Sequence, residues 1–349
     1  MDIQVKGITF DSRKVEEGFA FVAIPGTVSD GHAFIAKAID SGAAAIVCER
    51  LPEAIHEHVT YVTVRSSAQA LGIMASNFYG NPSDKLKLVG VTGTNGKTTT
   101  VTLLYQLFSA LGYNVGMIST VENRIIDEPV PATHTTPDPI QLNALLERMT
   151  KAGCVYAFME VSSHAVEQER IAGLTFAGGV FTNITHDHLD YHKTFENYIK
   201  AKKRFFDELA PDAFALVNAD DKRGMVMLQN TKAAKLTFGL KKMVDYKAKI
   251  ITNSLDGLEL EIGGKNVWFR MIGDFNAYNI LGVYATALQL GEESDEVLQH
   301  LSALNGAPGR FERVLPGSKI TAIVDYAHTP DALKNVLEKI GRASCRERV

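Results

Sequence analysis

Cysteine is scarce: Cys48, Cys154 and Cys345 are the only three in 349 residues. They are far apart and odd in number, which excludes a disulfide framework and a cysteine-built metal cluster and suits a reducing cytoplasm. Cys48 and Cys154 sit in apolar runs and read as inert core. No run of about 18 apolar residues occurs, and the N-terminal MDIQVKGITFDSRK has neither a long apolar core nor a small-residue cleavage site. Export and membrane insertion are therefore not expected. Excess positive charge is also missing: the net charge is −4 and the pI near 6.2, so there is no broad basic field for nucleic acid. No internal repeat or low-complexity tract is visible. What remains is ordinary globular composition, 46% hydrophobic and 22% charged. The length predicts roughly two or three domains.

The chain is organised around residues 88–100, LVGVTGTNGKTTT. An apolar run leads into a glycine-rich turn, and an apolar-periodic segment follows at Val101, Leu103, Leu104, Leu107, Phe108 and Leu111. That is strand, loop, helix. Gly93, Thr94, Asn95, Gly96, Lys97, Thr98 and Thr99 make up the loop. Its backbone N–H groups and the helix N-terminus suit a phosphate, Lys97 adds a charge for the terminal phosphates, and the Thr98 hydroxyl suits magnesium. The general phosphate-loop pattern wants a glycine where Val91 stands, so this is a variant loop, and it reads as an ATP site.

Before it, residues 1–84 alternate buried-strand and helical patterns, a small α/β unit interrupted by polar segments at Asp11-Ser12-Arg13 and at 26–32 (GTVSDGH). Both are turns on residue type alone. Asn81-Pro82-Ser83-Asp84 reads as a linker. The second unit, 85–316, alternates strands at 88–91, 114–119, 156–160, 179–182 and 214–218 with helices. Their near-continuous apolar character predicts a mostly parallel sheet covered on both faces. In such sheets ligands sit at the carboxyl ends of the strands. Polar clusters lie there or in the loops between: 133–137 (THTTP), 160–164 (EVSSH), 182–188 (TNITHDH) and 218–221 (NADD). Glu160 and His188 end apolar runs where a metal would face the phosphate loop, and composition admits magnesium, manganese or zinc. Residues 187–192 are equally a helix cap. The helical segment 198–206 (YIKAKKRFF) carries four basic residues and reads by default as a solvated face. Residues 247–262 and 267–271 read as hairpin material, 277–290 and 294–304 as helices, 307–312 as a turn, and 320–324 as a fresh buried strand.

Taken in order, residues 93–99, 160–170, 187–192, Ala201-Lys202, 273–279, 309–312 and 325–333 resemble the Mur ligase family from Met1 to about Ile340. The resemblance implies an ATP-dependent amide ligase of peptidoglycan synthesis. Its substrates would be a UDP-N-acetylmuramoyl-dipeptide, activated as an acyl phosphate, and a diamino acid, meso-diaminopimelate before L-lysine. It also implies residue roles. Lys97 and Thr98 meet the ATP phosphates and magnesium; Glu160 and His188 hold a second magnesium. Lys202 is the lysine that the family carbamylates. Catalysis would thus rest on Lys97, Lys202 and His188, with Thr98, Glu160, His188 and Lys202 at metal. Asn279 and Arg310 meet the nucleotide and Asp325 the ribose. Ser12 and the 26–32 loop meet the uridine nucleotide. Thr135, Thr136, Ser163 and Arg170 meet the muramoyl peptide. His186 is given no role.

A monomer in the cytoplasm is expected. Residues 317–340 resemble the start of a third, Rossmann-like domain, represented by its first strand with no sheet to join. The tail 341–349 resembles no family continuation and reads as a foreign, disordered end, and the 349-residue chain is expected to bind ATP but not to complete ligation. Two alternatives stand beside this reading: a folylpolyglutamate synthase-like ligase, and a catalytically incomplete nucleotide-binding fragment.

Overall fold

The computed structural model describes residues 4–26, 29–132, 134–185, 189–254, 256–314, 322–327, 333–334 and 336–337. His186, Asp187, His188, His328 and the 341–349 tail lie outside the described residues.

The first strands are short and rich in β-branched and aromatic residues. β1 (Gly7–Thr9), β2 (Phe19–Val22), β3 (Ala45–Cys48) and β4 (Thr60–Thr63) pair in that order as a wholly parallel sheet. Parallel strands need cover on both faces. Here α1 (Ile35–Asp40) packs Ile35 and Ala38 onto Phe21 and Ile46. On the other face α2 (Ser67–Phe78) brings Leu71 onto Val22 and Val47. The Ser66 hydroxyl caps α2, accepting from the Gln69 N–H at 3.2 Å.

A larger sheet follows. Its elements in chain order are β5 (Lys87–Thr92), α3 (Lys97–Ala110), β6 (Val115–Ile118), β7 (Asn123–Ile125), β8 (Glu128–Val130), α4 (Pro139–Lys151), β9 (Tyr156–Glu160), α5 (Ser163–Glu167), β10 (Gly178–Phe181), α6 (Leu189–His192), α7 (Phe195–Asp207), β11 (Phe214–Asn218), α8 (Gly224–Met227), β12 (Ala234–Gly239), β13 (Tyr246–Asn253), β14 (Leu258–Ile262), β15 (Lys265–Phe269), α9 (Asp274–Gln289) and α10 (Ser294–Ala303). The eleven strands lie in the order β15-β14-β13-β12-β11-β10-β5-β9-β6-β7-β8. Pairing is parallel from β13 through β6 and antiparallel at both edges. β5, which leads into the phosphate loop, is therefore central, between β10 and β9. One face is covered by α3, α9 and α10 through residues such as Leu104, Phe108, Ile280 and Leu301. The other is covered by α4 and α7 through Leu146, Met149, Tyr198 and Phe206.

The structure differs from the sequence expectation in three places. The expected hairpin at the far edge is a three-stranded meander: in β14 Leu258, Leu260 and Ile262 face the core while flanking strands occupy both of its edges. Strands β7, β8 and β12 are not among the expected ones, whereas the helix implied between β6 and β9 is α4, capped by Asp138, which accepts from the Ile140 and Gln141 N–H groups at 3.0 Å. The strand expected to stand without a sheet, β17 (Ala322–Val324), pairs antiparallel with β16 (Glu312–Val314).

The acidic cluster after β11 is structural. Asp221 accepts from the Ile184 N–H at 2.9 Å and from the Arg223 N–H at 2.7 Å. Asp220 accepts from the N–H groups of Leu240, Lys241 and Lys242 at 2.7, 2.9 and 3.0 Å and from the Tyr278 hydroxyl at 3.0 Å. Burial pushes the Asp220 carboxyl up, but these donors outweigh it and hold it below the usual carboxylate range. A depressed folded value means that the stabilisation is present above the unfolded value and is lost as pH falls through the folded one. Asp220→Asn, which keeps the size and loses the charge, is expected to cost about 1–3 kcal/mol in urea unfolding near pH 7. The difference from the parent should shrink as pH falls below about 4, the ordinary carboxylate value, and a pH-independent difference would contradict the charge argument.

Candidate active site

The phosphate loop is built on two glycines that admit no side chain. A Cβ on Gly93 would lie 1.9 Å from the Thr182 hydroxyl. Gly96 has a φ of 87° and its Cβ would lie 2.5 Å from Asn279 Oδ1. Helix α3 starts at Lys97, directing its first-turn amide groups toward the loop. The loop is then clamped by the segment after β10. Asn183 accepts from the Thr94 N–H through its carbonyl at 2.8 Å and from the Asn95 N–H through Oδ1 at 2.9 Å, and its Nδ2 donates to the Asn95 carbonyl at 3.0 Å. The Thr182 hydroxyl donates to the same carbonyl at 2.6 Å. Lys97 Nζ folds back on the loop, donating to the carbonyls of Gly93 at 3.0 Å and Thr94 at 2.9 Å. Thr98 and Thr99 are buried in the first turn of α3.

Glu160, the last residue of β9, is 0% exposed. An unpaired buried carboxylate costs several kcal/mol. Thr120, just past β6, offsets this by donating to Glu160 through its N–H at 2.8 Å and its hydroxyl at 3.2 Å. The sequence reading missed Thr120, whose only signal was its place at a strand end. Thr135 lies 3.1 Å from the Thr120 hydroxyl, and the Thr136 hydroxyl donates to the Glu160 carbonyl at 2.8 Å. Arg170 donates to the Thr136 carbonyl at 2.7 Å and to Gln168 Oε1 at 3.0 and 2.7 Å. Burial pulls the guanidinium below its ordinary value, against the opposing charges of Asp138 and Tyr191. Ser163 is buried, 2.9 Å from His192 Nε2. Thr135, Thr136, Arg170 and Glu160 are thus parts of one connected wall, which Ser163 adjoins through Ser162, whose N–H donates to the Thr136 hydroxyl at 3.2 Å.

Lys202 departs from the solvated-face reading. The buried stripe of α7 is Tyr198, Ala201, Lys202, Phe205 and Phe206, a helical i, i+3, i+4, i+7, i+8 spacing with one cation inside it. Lys202 is 1% exposed, and its Nζ donates to the Gly93 carbonyl at 2.9 Å and to the Thr92 hydroxyl at 3.4 Å. It also lies 4.7 Å from the centre of the Tyr198 ring, whose hydroxyl is 3.1 Å from Thr94 Oγ1. The other basic residues of the segment do face outward or pair: Lys200 with Glu196, Lys203 with Asp207, Arg204 with Glu169 and Glu208. His188 lies outside the described residues, and among the described residues no group of three His, Cys, Asp or Glu side chains is assembled for a metal.

Asn279, buried on α9, faces Gly96 and donates to Asn276 Oδ1 at 3.0 Å. Arg310 donates to the Thr98 hydroxyl at 3.2 Å and stacks on Tyr326 at 4.5 Å. Asp325 accepts from the N–H groups of Phe311 at 2.6 Å and Ala327 at 2.7 Å, holding the turn that carries Arg310. Asn279 and Arg310 therefore flank the phosphate loop directly, whereas Asp325 is joined to it through Arg310.

Ser12 and the described part of the 26–32 loop follow β1 and β2, at the carboxyl edge of the smaller sheet. Ser12 is buried beside Asp11, whose carboxyl the Arg13 guanidinium holds at about 2. His32 Nε2 accepts from the Glu49 N–H at 3.0 Å, which makes Nδ1 the protonated nitrogen facing Asp30 at 2.7 Å. Arg50 also pairs with Asp30. Glu49 in turn accepts from the N–H and hydroxyl of Ser67 at 2.9 and 3.1 Å. His32 is thus engaged in fixing the loop.

Comparison with known proteins identifies the family. Residues 91–287 match the Mur ligase middle domain, and residues 4–79 match the model described as Mur ligase family, catalytic domain. A curated relative from Cytophaga hutchinsonii, named UDP-N-acetylmuramoyl-L-alanyl-D-glutamate--2,6-diaminopimelate ligase, is 63% identical over 340 residues, covering 97% of this chain and 70% of its own. A solved structure with the same enzyme name superposes with a TM-score of 0.82 at 30% identity, covering 97% of this chain and 70% of that one. Folylpolyglutamate synthase from Mycobacterium tuberculosis, complexed with ADP and AMPPCP, shares the fold with a TM-score of 0.64 at 17% identity over 79% of this chain and 71% of that one. The variant phosphate loop, the buried carboxylate and lysine beside it, and these matches have one explanation: the chain belongs to the Mur ligase family.

Proposed function

We propose that this chain binds ATP for the addition of meso-diaminopimelate to UDP-N-acetylmuramoyl-L-alanyl-D-glutamate, a cytoplasmic reaction of peptidoglycan synthesis. Relatives at 53–63% identity carry that name. The observation that carries the reading is Lys202, buried with its Nζ against the phosphate-loop carbonyl of Gly93.

A carboxylate is a poor electrophile, so the D-glutamate side chain must first attack the terminal phosphate of ATP. The oxygen–phosphorus bond forms, ADP leaves, and the acyl phosphate then loses phosphate to the incoming amine. The first step forces anions together. Lys97 and the loop N–H groups supply fixed positive charge where phosphate charge grows. Arg170, with Thr135 and Thr136, lines the wall where the muramoyl-dipeptide would present its carboxylate, and Asn279 and Arg310 sit where the nucleotide would. Ser12 and the 26–32 loop are the proposed uridine end.

The residues present fit magnesium. Glu160 offers a buried carboxylate, Thr98 a hydroxyl in the phosphate loop, and Lys202 an anionic oxygen once carbamylated, with His188 the further proposed ligand. Magnesium, when bound, would neutralise the transferred phosphoryl group. An unmodified Lys202 ammonium would repel the metal. Carbamylation joins Nζ to the carbon of carbon dioxide with loss of a proton, replacing the cation by a carboxylate-like group. Burial keeps bulk water from that group.

Exchange of labelled ADP into ATP that depends on the muramoyl-dipeptide tests acyl-phosphate formation directly, and exchange without the dipeptide, or none with it, would refute the assignment. Transfer of labelled diaminopimelate, with L-lysine in parallel, then tests the amine; preference for lysine would overturn that part. Lys97→Ala is expected to weaken nucleotide binding on the order of a hundredfold in calorimetry. Lys202→Ala should lower dipeptide-dependent exchange on the order of a hundredfold or more, with partial recovery in added acetate or formate. Full exchange activity of the alanine variant without added acid would remove Lys202 from the reaction.

A further inference from the structure

His192 belongs to neither the phosphate loop nor the metal set, yet it is 4% exposed. Its Nε2 lies 2.9 Å from the Ser163 hydroxyl, itself 1% exposed, and its ring packs against His164, Tyr191 and Tyr198 at centroid distances of 5.5, 5.0 and 5.2 Å. The backbone around it is over-determined. The His192 carbonyl accepts from the Thr194 N–H at 2.7 Å and from Asn197 Nδ2 at 3.1 Å. Lys193 between them is held at a φ of 63°, a left-handed conformation that a lysine does not adopt without compensation. Thr194 caps α7, its hydroxyl accepting from the Asn197 N–H at 3.2 Å.

These bonds join two carriers. Ser163 opens α5, three residues after Glu160 at the end of β9, while His192 closes α6 immediately before α7, which bears Tyr198 and Lys202. One buried side-chain bond therefore links the element that ends in Glu160 to the one that presents Lys202. Along α7 the residues at 198 and 202 share a face, and both reach the phosphate loop, at Thr94 and Gly93. A shift at the start of α7 would carry Lys202 with it.

We propose that His192 is a positioning residue, whose bond to Ser163 sets the register of α7 and so the place of Lys202 relative to Glu160 and the phosphate loop. This rests on the function proposed above for Lys202. The readout is the carbamate itself: the carbamate carbon seen by 13C NMR after equilibration with labelled bicarbonate, together with the affinity for a non-hydrolysable ATP analogue with magnesium.

His192→Phe keeps the ring packing and removes the bond. It is expected to lower carbamate occupancy by about fivefold and to weaken the magnesium–nucleotide affinity by a similar factor, as one hydrogen bond predicts. His192→Gln, which can still reach Ser163, should recover most of both. Should His192→Phe fail to fold, Ser163→Ala removes the same bond from the other side and is expected to show the same losses. Parental carbamate signal and affinity in a folded His192→Phe or Ser163→Ala protein would overturn the positioning role. An unmutated protein that binds the magnesium–nucleotide complex but gives no carbamate signal would instead overturn the Lys202 assignment, and this inference with it.

Discussion

The site depends on the bonding between Asn183 and the loop that Asn95 occupies. A loop containing two glycines in positive φ is free to wander, and the phosphate cradle exists only if that freedom is removed. Asn183 removes it by matching donor to acceptor on both sides of Asn95, with Thr182 adding a third bond. Because β10 and β5 are adjacent parallel strands, in register from Gly178↔Val89 to Phe181↔Thr92, their exits lie side by side. The sheet therefore delivers the clamp and the loop to the same point.

The second organising feature is how charge is carried into the interior. Glu160 and Lys202 are both buried at strand or helix positions that the fold would ordinarily fill with apolar residues. Each is met by local dipoles: the Glu160 carboxylate by the Thr120 amide and hydroxyl, the Lys202 ammonium by the Gly93 carbonyl and the Tyr198 ring face. Such fixed dipoles take the place of water around a buried charge.

Much of this was legible in the sequence because the period of the pattern carries it. The strand, glycine-rich loop and helix around Lys97, and the near-continuous apolar strands, gave the mostly parallel α/β architecture. Less legible was what happens across elements. The four basic residues in 198–206 invite a surface reading, and only the spacing of Lys202 with Tyr198, Ala201, Phe205 and Phe206 marks it as inward. The acidic pair Asp220-Asp221 looked like part of the site, but most of its bonds go to a loop about twenty residues away and to α9, partners no local pattern reveals. The helix implied between the strands at 114–119 and 156–160 is α4, and Asp138 and Pro139 mark its start with a cap-and-proline signature.

The Arg310 side chain has a mechanical meaning. It touches the Thr98 hydroxyl in the first turn of α3 and the face of Tyr326, and it stands between Gly309 at a φ of 65° and Phe311 at 49°. Left-handed residues on either side of Arg310 make a short, stiff elbow, and Asp325 pins its far side. Motion of the segment around Tyr326 would thus act as a lever whose fulcrum is this elbow and whose short arm ends on the phosphate loop.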